Sequence, residues 1–177
     1  MIVWINGTYG VGKTSTANEI KIKMTNKEVV VFDPDDLFES KGEDIIKDLI
    51  KNGGGVSPQN NRFFLHLLFD ELKKYFHNDT ICIVPMSITS IEGKELVWEY
   101  ISKNCDKYKH FVLDAEEEII RERIRQDTNR ADKGTAIYEL STNRSFINKY
   151  FENAEWINTS HKKIGEVAQE IIEEMEL

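Results

Sequence analysis

The sequence predicts an α/β fold of three layers, a five-stranded parallel sheet with helices packed on both faces. Two observations carry this prediction. Five short runs rich in β-branched and apolar residues alternate with longer stretches of helical periodicity, the pattern of repeated β-α units. The first run is followed at once by a glycine-rich turn that opens a helix, as a parallel strand feeding a crossover does. At 177 residues the chain has the length of one domain, residues 1–177, with room for a core of its own.

Ile2, Val3, Trp4 and Ile5 form the first strand, and Gly7-x4-Gly12-Lys13-Thr14 follows. This is G-x-x-x-x-G-K-[ST], a P-loop over residues 7–14. Gly7, Gly10 and Gly12 can turn the backbone through positive φ, which brings the amides of Thr8, Tyr9 and Val11 close to phosphate oxygens. The helix that begins at Lys13, Thr14 and Ser15 aims its N-terminal dipole at the same oxygens. Lys13 can reach the β- and γ-phosphates, and the Thr14 hydroxyl can ligate Mg²⁺, so ATP and Mg²⁺ are the expected ligands. Ala17, Ile20, Ile22 and Met24 give that helix its apolar side.

A net charge of −8 argues against a nucleic-acid groove, because phosphate backbones reward basic faces. Hydrophobic residues at 40% and charged residues at 31% are globular proportions. No apolar run approaches membrane-spanning length, and the first residues already read as strand and P-loop, so a cytoplasmic monomer or homodimer is expected. Cys82 and Cys105 lack metal-ligand spacing and read as reduced structural thiols.

The second strand, Glu28 to Phe32, ends in Asp33-Pro34-Asp35-Asp36. Ligands of open α/β sheets collect at the carboxyl ends of strands, where Asp33 or Asp35 can act as general base or support Mg²⁺. The competing reading is a turn at Asp33-Pro34, with Asp35 or Asp36 capping the next helix. Residues 37–76 form a candidate substrate-closing segment: a short helix at 43–51, a break at Gly53-Gly54-Gly55, and a long apolar helix from Pro58, capped by Ser57, to about Phe76. Within it, Arg62 reads as solvated and His66 as a core histidine. The third strand, Thr80 to Val84, ends in Pro85-Met86-Ser87 without the acid of a Walker B strand. That points away from motor ATPases and towards small kinases, with Ser87 and Thr89 as polar contacts.

A helix over 92–104 precedes strand four, Tyr108 to Leu113, and a further helix spans 116–127. Arg121, Arg123 and Arg125 crowd its last turns, where the dipole favours cations in any case. Residues 128–136, with Arg130 and Lys133, read as a short lid over phosphate. Arg144 falls on the apolar stripe of the next helix (136–151); it either snorkels out or meets an anion in the cleft, and phosphoryl transfer favours the anion. Strand five, 156–159, and a helix over 164–174 complete the pattern.

With these pieces assembled, the chain resembles the tunicamycin-resistance ATP-binding protein family. The resemblance rests on IVWING-x-x-G-x-GKT (Ile2 to Thr14), Asp33-Pro34, IVPM-[ST]-I (Ile83 to Ile88), HF-x-L (His110 to Leu113), R-x-R (Arg123 to Arg125) and VAQEI (Val167 to Ile171). That family is similar in fold to nucleoside monophosphate, gluconate and shikimate kinases and to chloramphenicol phosphotransferase. The resemblance implies that Arg123 stacks on adenine, that lid arginines such as Arg130 clamp phosphates, and that Thr159-Ser160-His161 borders the base. It also implies an Asp after strand two as base, matching Asp33 or Asp35, while Asp127 stands where a further lid Arg is common.

The reading that follows is an ATP/Mg²⁺-dependent phosphotransferase acting on a small hydroxylated acceptor such as an antibiotic or a nucleoside-like molecule. Lys13, Asp33, Asp35, Arg123, Arg130 and Arg144 form the catalytic set, and Thr159 joins Arg123 at the nucleotide. Two competitors are a protein that sequesters a drug without modifying it and a nucleotide kinase. Against the second, the segment from Leu37 to Arg62 supplies few arginines for a monophosphate.

Overall fold

The computed structural model describes residues 1–51, 58–128 and 131–175. β1 (Ile2–Asn6) pairs in parallel with β3 (Ile81–Pro85) on one side and β4 (Tyr108–Asp114) on the other. β2 (Val29–Val31) and β5 (Glu155–Asn158) complete the sheet in the order β2-β3-β1-β4-β5. β1 is buried on both faces, which its uninterrupted apolar run requires. Successive side chains point to opposite faces, so Val3 and Ile5 join Ile83 and Leu113 in one core, and Ile2 and Trp4 join Cys82 and Val112 in the other.

Helices α1 (Lys13–Lys23), α5 (Glu117–Gln126) and α7 (Ile164–Glu174) bring Ala17, Ile20, Ile120, Ile124, Val167 and Ile171 to the first core. Helices α2 (Asp36–Lys51), α3 (Arg62–Leu72) and α4 (Ile91–Asn104) bring Leu37, Ile45, Phe64, Leu68, Val97 and Ile101 to the second. α6 (Lys133–Tyr150) serves both, through Ala136 and Leu140 on one side and Ile147 on the other. Trp4 anchors the second core: its indole N–H donates to the Met86 carbonyl at 3.0 Å and its ring meets Trp98 edge-on. His110 of β4 lies between Trp98 and Phe151, and burial, aided by Lys94, holds its pKa down to about 3.

The elements depart from the sequence reading where short-range chemistry outweighs periodicity. α2 starts at Asp36 rather than 43, because the Asp36 and Leu37 amides donate to the Asp33 and Pro34 carbonyls and launch the helix from the turn itself. The long helix from Pro58 divides into a 3₁₀ turn at Pro58–Asn60, α3, and a second 3₁₀ turn at Lys73–Tyr75. α3 is capped by Asn61, whose side chain accepts from the Phe64 amide at 2.7 Å; Ser57 and the Gly53-Gly54-Gly55 break lie outside the described residues. Ile22 points to solvent at 68% exposure, and Thr16 takes the inward position instead. His66 is likewise exposed, paired with Asp70 one turn on, rather than a core residue. α6 begins at Lys133, where the Lys133 ammonium donates to the Arg125 carbonyl, so residues 133–136 of the lid expected at 128–136 belong to that helix; residues 129 and 130 lie outside the described residues.

Candidate functional site

The carboxyl ends of all five strands deliver polar groups to one edge of the sheet. Asn6 ends β1 as a fully buried residue. Its Oδ1 accepts from the Gly7 amide at 2.8 Å and from the Ile88 amide at 2.9 Å, which ties the P-loop to the loop after β3. Ser87 adds a second tie by donating to the Gly7 carbonyl at 2.8 Å. Neither Asn6 nor this clasp was read from the sequence as a site feature; a lone Asn closing an apolar strand was the signal available.

The loop between β1 and α1 turns through positive φ at Gly7 (141°), Gly10 (79°) and Gly12 (96°). Lys13 folds back over it, its ammonium donating to the carbonyls of Gly7 at 3.1 Å and Thr8 at 2.9 Å. A lysine so placed is pre-organised across the loop opening, and the α1 amides face the same space. At the next position, Thr14 Oγ1 donates to Asp33 Oδ2 at 3.2 Å, and Asp33 Oδ1 accepts from the Asp35 amide at 3.1 Å. The donor set fits Mg²⁺: a hydroxyl and a carboxylate converge, and a hard cation takes its remaining oxygens from phosphate and water. Among the described residues no group of three His, Cys, Asp or Glu could hold a metal by itself.

Two cavities meet here. One, of about 660 Å³, is bordered by Tyr9, Gly12, Lys13, Thr14 and Ser15 of the P-loop region and by Arg123, Asp127 and Ile164. The other, of about 760 Å³, lies between the P-loop, Asp33 and Asp35, the loop after β3 and one face of α6. Tyr9, Lys13 and Thr14 border both.

Arg123 turns its guanidinium to Thr159, donating to Oγ1 at 3.0 Å and to the carbonyl at 2.7 Å, while its side chain borders the first cavity. Burial pulls its pKa down from the ordinary arginine value, which starts too high for charge to be lost. Thr159 is buried, with Oγ1 also donating to the Val11 carbonyl at 3.4 Å, so β5 and the P-loop are fastened together.

Arg144 departs from the expectation of an anion in the cleft. Its Nε and Nη2 donate to the two oxygens of Asp114 at 2.7 and 2.8 Å, a bidentate pair that raises the arginine pKa. The anion it meets is the protein's own, at the end of β4, and the pair fastens α6 to the sheet. Asp114 was not singled out in the sequence, where it falls just past the strand read as Tyr108 to Leu113; in the structure it is the last residue of β4. Arg130 lies outside the described residues.

A parallel sheet in this order, with a P-loop after its first central strand and a second cavity opposite, defines a P-loop kinase-like fold. No protein-family model matches the chain, and no curated protein sequence does. Among solved structures it is similar to the tunicamycin resistance protein of Deinococcus radiodurans, at 25% identity and a TM-score of 0.69, over 99% of this chain and 95% of that one. It is similar in fold to a gluconokinase from Sinorhizobium meliloti 1021, at 11% identity and a TM-score of 0.66 over 98% of this chain and 90% of that one. The shikimate kinase of Acinetobacter baumannii shares the fold at 18% identity and a TM-score of 0.65, over 98% of this chain and 92% of that one. Among the described residues no helix is long and apolar enough to cross a membrane.

Proposed function

We propose that this chain is an ATP- and Mg²⁺-dependent phosphotransferase acting on a small hydroxylated acceptor. The observation that carries the reading is the shared border of the two cavities: Tyr9, Lys13 and Thr14 face both. A nucleotide in the first and an acceptor in the second would meet at the γ-phosphate, the geometry an in-line transfer needs. A protein that only sequestered a drug would have no use for that junction.

In this reading the P-loop amides and Lys13 hold the β- and γ-phosphates, while Arg123, held from behind by buried Thr159, forms the wall beside the nucleoside. Thr14 and Asp33 stand on the Mg²⁺ side, supported by their mutual hydrogen bond. Mg²⁺ there would neutralise charge on the phosphates. The acceptor hydroxyl oxygen bonds to the γ-phosphorus, the bond to the bridging oxygen breaks to release ADP, and the proton passes to a carboxylate. Asp35 is assigned that last role: it borders the second cavity, while Asp33 sits beside Thr14 on the Mg²⁺ side. Arg144, held by Asp114, is given a positioning role on α6 rather than a phosphate contact. The lid residue Arg130 is assigned to the γ-phosphate by resemblance.

The test is transfer of the labelled γ-phosphate of ATP to a panel of nucleosides, sugars and nucleoside-like antibiotics, tunicamycin among them because of the Deinococcus neighbour. A labelled small product that Lys13→Ala lowers by about 10²–10³-fold supports the reading. Undiminished transfer by that variant overturns the site. ATP binding without product across the panel, with ligand protection retained in the Asp33→Asn/Asp35→Asn double variant, favours sequestration.

A further inference from the structure

The second cavity has a chemical bias that its boundaries make legible. Three carboxylates border it, Asp33, Asp35 and Glu139, against one cation, Lys13, which the P-loop already holds. The rest of the described border is hydroxyls, amides, prolines, Phe64, Met86 and aromatic rings. Of the residues outside the described set, 52–57 (Asn-Gly-Gly-Gly-Val-Ser) contain no Lys or Arg in the sequence, which leaves Arg130 as the one further cation to reckon with.

The bias is built into α6. Thr135, Tyr138, Glu139, Thr142 and Asn143 recur at helical spacing and form one face of that helix, directed to the cavity. Ala136, Leu140 and Ile147 lie on a neighbouring, buried flank of the helix. Three fastenings keep this arrangement: Arg144 on Asp114, Arg121 of α5 donating to the Ile137 carbonyl at 3.3 Å, and Ser141 donating to Glu117 of α5 at 2.9 Å. Tyr138 is 87% exposed at the cavity, a large ring with almost nothing of the protein against it. An exposed ring flanked by amide and carboxylate acceptors is a platform for the face of a hydroxylated ring.

Resting on the phosphotransferase reading, we infer that Tyr138, Glu139 and Asn143 determine acceptor specificity and select a polyhydroxylated ring that carries no anionic group. Anions meet Glu139 and Asp35 in a cavity shared with the triphosphate, and like charges at this range repel in a partly desolvated cleft. A neutral or amine-bearing ring loses nothing to that field and gains acceptors for its hydroxyls.

The test uses matched probes on the full chain with Mg²⁺ and a non-hydrolysable ATP analogue: glucose, glucosamine and gluconate, and uridine against uridine 5′-monophosphate. Binding is read by ligand-observed NMR and calorimetry. The expected result is that each neutral or amine probe binds at least about tenfold more tightly than its anionic partner, one tenfold step being about 1.4 kcal/mol. Glu139→Lys should shrink or invert that ratio, and Tyr138→Ala should weaken the neutral probes while leaving nucleotide affinity unchanged. Equal or tighter binding of gluconate or the monophosphate overturns the inference, including the case where Arg130→Ala abolishes that preference. Failure of every probe to bind overturns it as well. Neutral probes that bind selectively but accept no phosphoryl group from ATP would uphold the specificity and sink the transfer reading, so the two fail separately.

Discussion

Thr14 Oγ1 donates to Asp33 Oδ2 at 3.2 Å, joining the first turn of α1 to the end of β2 across the floor between the two cavities. The contact couples a P-loop hydroxyl to an acid that no Walker B position on β3 supplies, since that strand ends in Pro85. It predicts that Asp33 and Asp35 separate in their kinetics. Asp33→Asn should raise the Mg²⁺ concentration needed for half-maximal rate several-fold and leave a measurable rate at saturating metal. Asp35→Asn should lower kcat by about 10²–10⁴-fold at any Mg²⁺ concentration, the range of general-base removal. Titrating Mg²⁺ in both variants decides: the reverse pattern would exchange the two roles, and identical profiles would remove the distinction.

Much of this architecture was legible in the sequence because its signals are local. Gly7-x4-Gly12-Lys13-Thr14 prescribes its own backbone, and the φ values at Gly7, Gly10 and Gly12 are those the motif demands. Apolar runs at 2–5, 81–84 and 111–113 could only be strands buried on both faces. What stayed hidden depends on partners far along the chain. Arg144 reads alone as a cation on an apolar stripe, and only the fold brings Asp114 within 2.7 Å. The start of α2 was hidden because residues 39–44 carry charges and Gly42 instead of an apolar period, so the helix is defined by the turn that launches it. Gln59 is another such case: its amide pairs reciprocally with Thr89, at 2.7 and 2.6 Å, across thirty residues of sequence.

Two glycines should respond with opposite signs to alanine. At Gly7, φ is 141° and a Cβ would stand 2.5 Å from the Leu113 carbonyl oxygen and 2.8 Å from Val11 Cγ2. Backbone strain of this kind costs about 1–3 kcal/mol before the clash is counted, so Gly7→Ala should lower the unfolding free energy by at least that and impair ATP binding. Gly42 lies inside α2 with nothing within 4 Å of its would-be Cβ. Gly42→Ala should raise stability by about 0.5–1 kcal/mol through helix propensity alone. Urea denaturation of the two variants is the measurement, and a stable Gly7→Ala protein with native nucleotide affinity would refute the close approach of the loop to β4.

Acid sensitivity should trace to His110. Its pKa is held near 3, against an ordinary value of 6.5, by burial first and by the Lys94 charge second, and its Nε2 has no hydrogen-bond partner among the described residues. The folded state keeps the imidazole neutral where the unfolded chain protonates it. Stability is therefore complete above pH 6.5 and declines as pH falls from there towards 3, because the unfolded state binds the extra proton. By linkage, about 2 kcal/mol should be lost between pH 7 and pH 5 from this one group. His110→Leu removes the titration and keeps an apolar side chain against Trp98 and Phe151. Its stability at pH 7 should fall by the ordinary cost of repacking, while its acid limb should be shallower by one proton. Denaturation midpoints of both proteins from pH 7 to pH 5 give the answer. Parallel acid limbs would mean that another group carries the proton uptake and that His110 is protonated in the fold as readily as outside it.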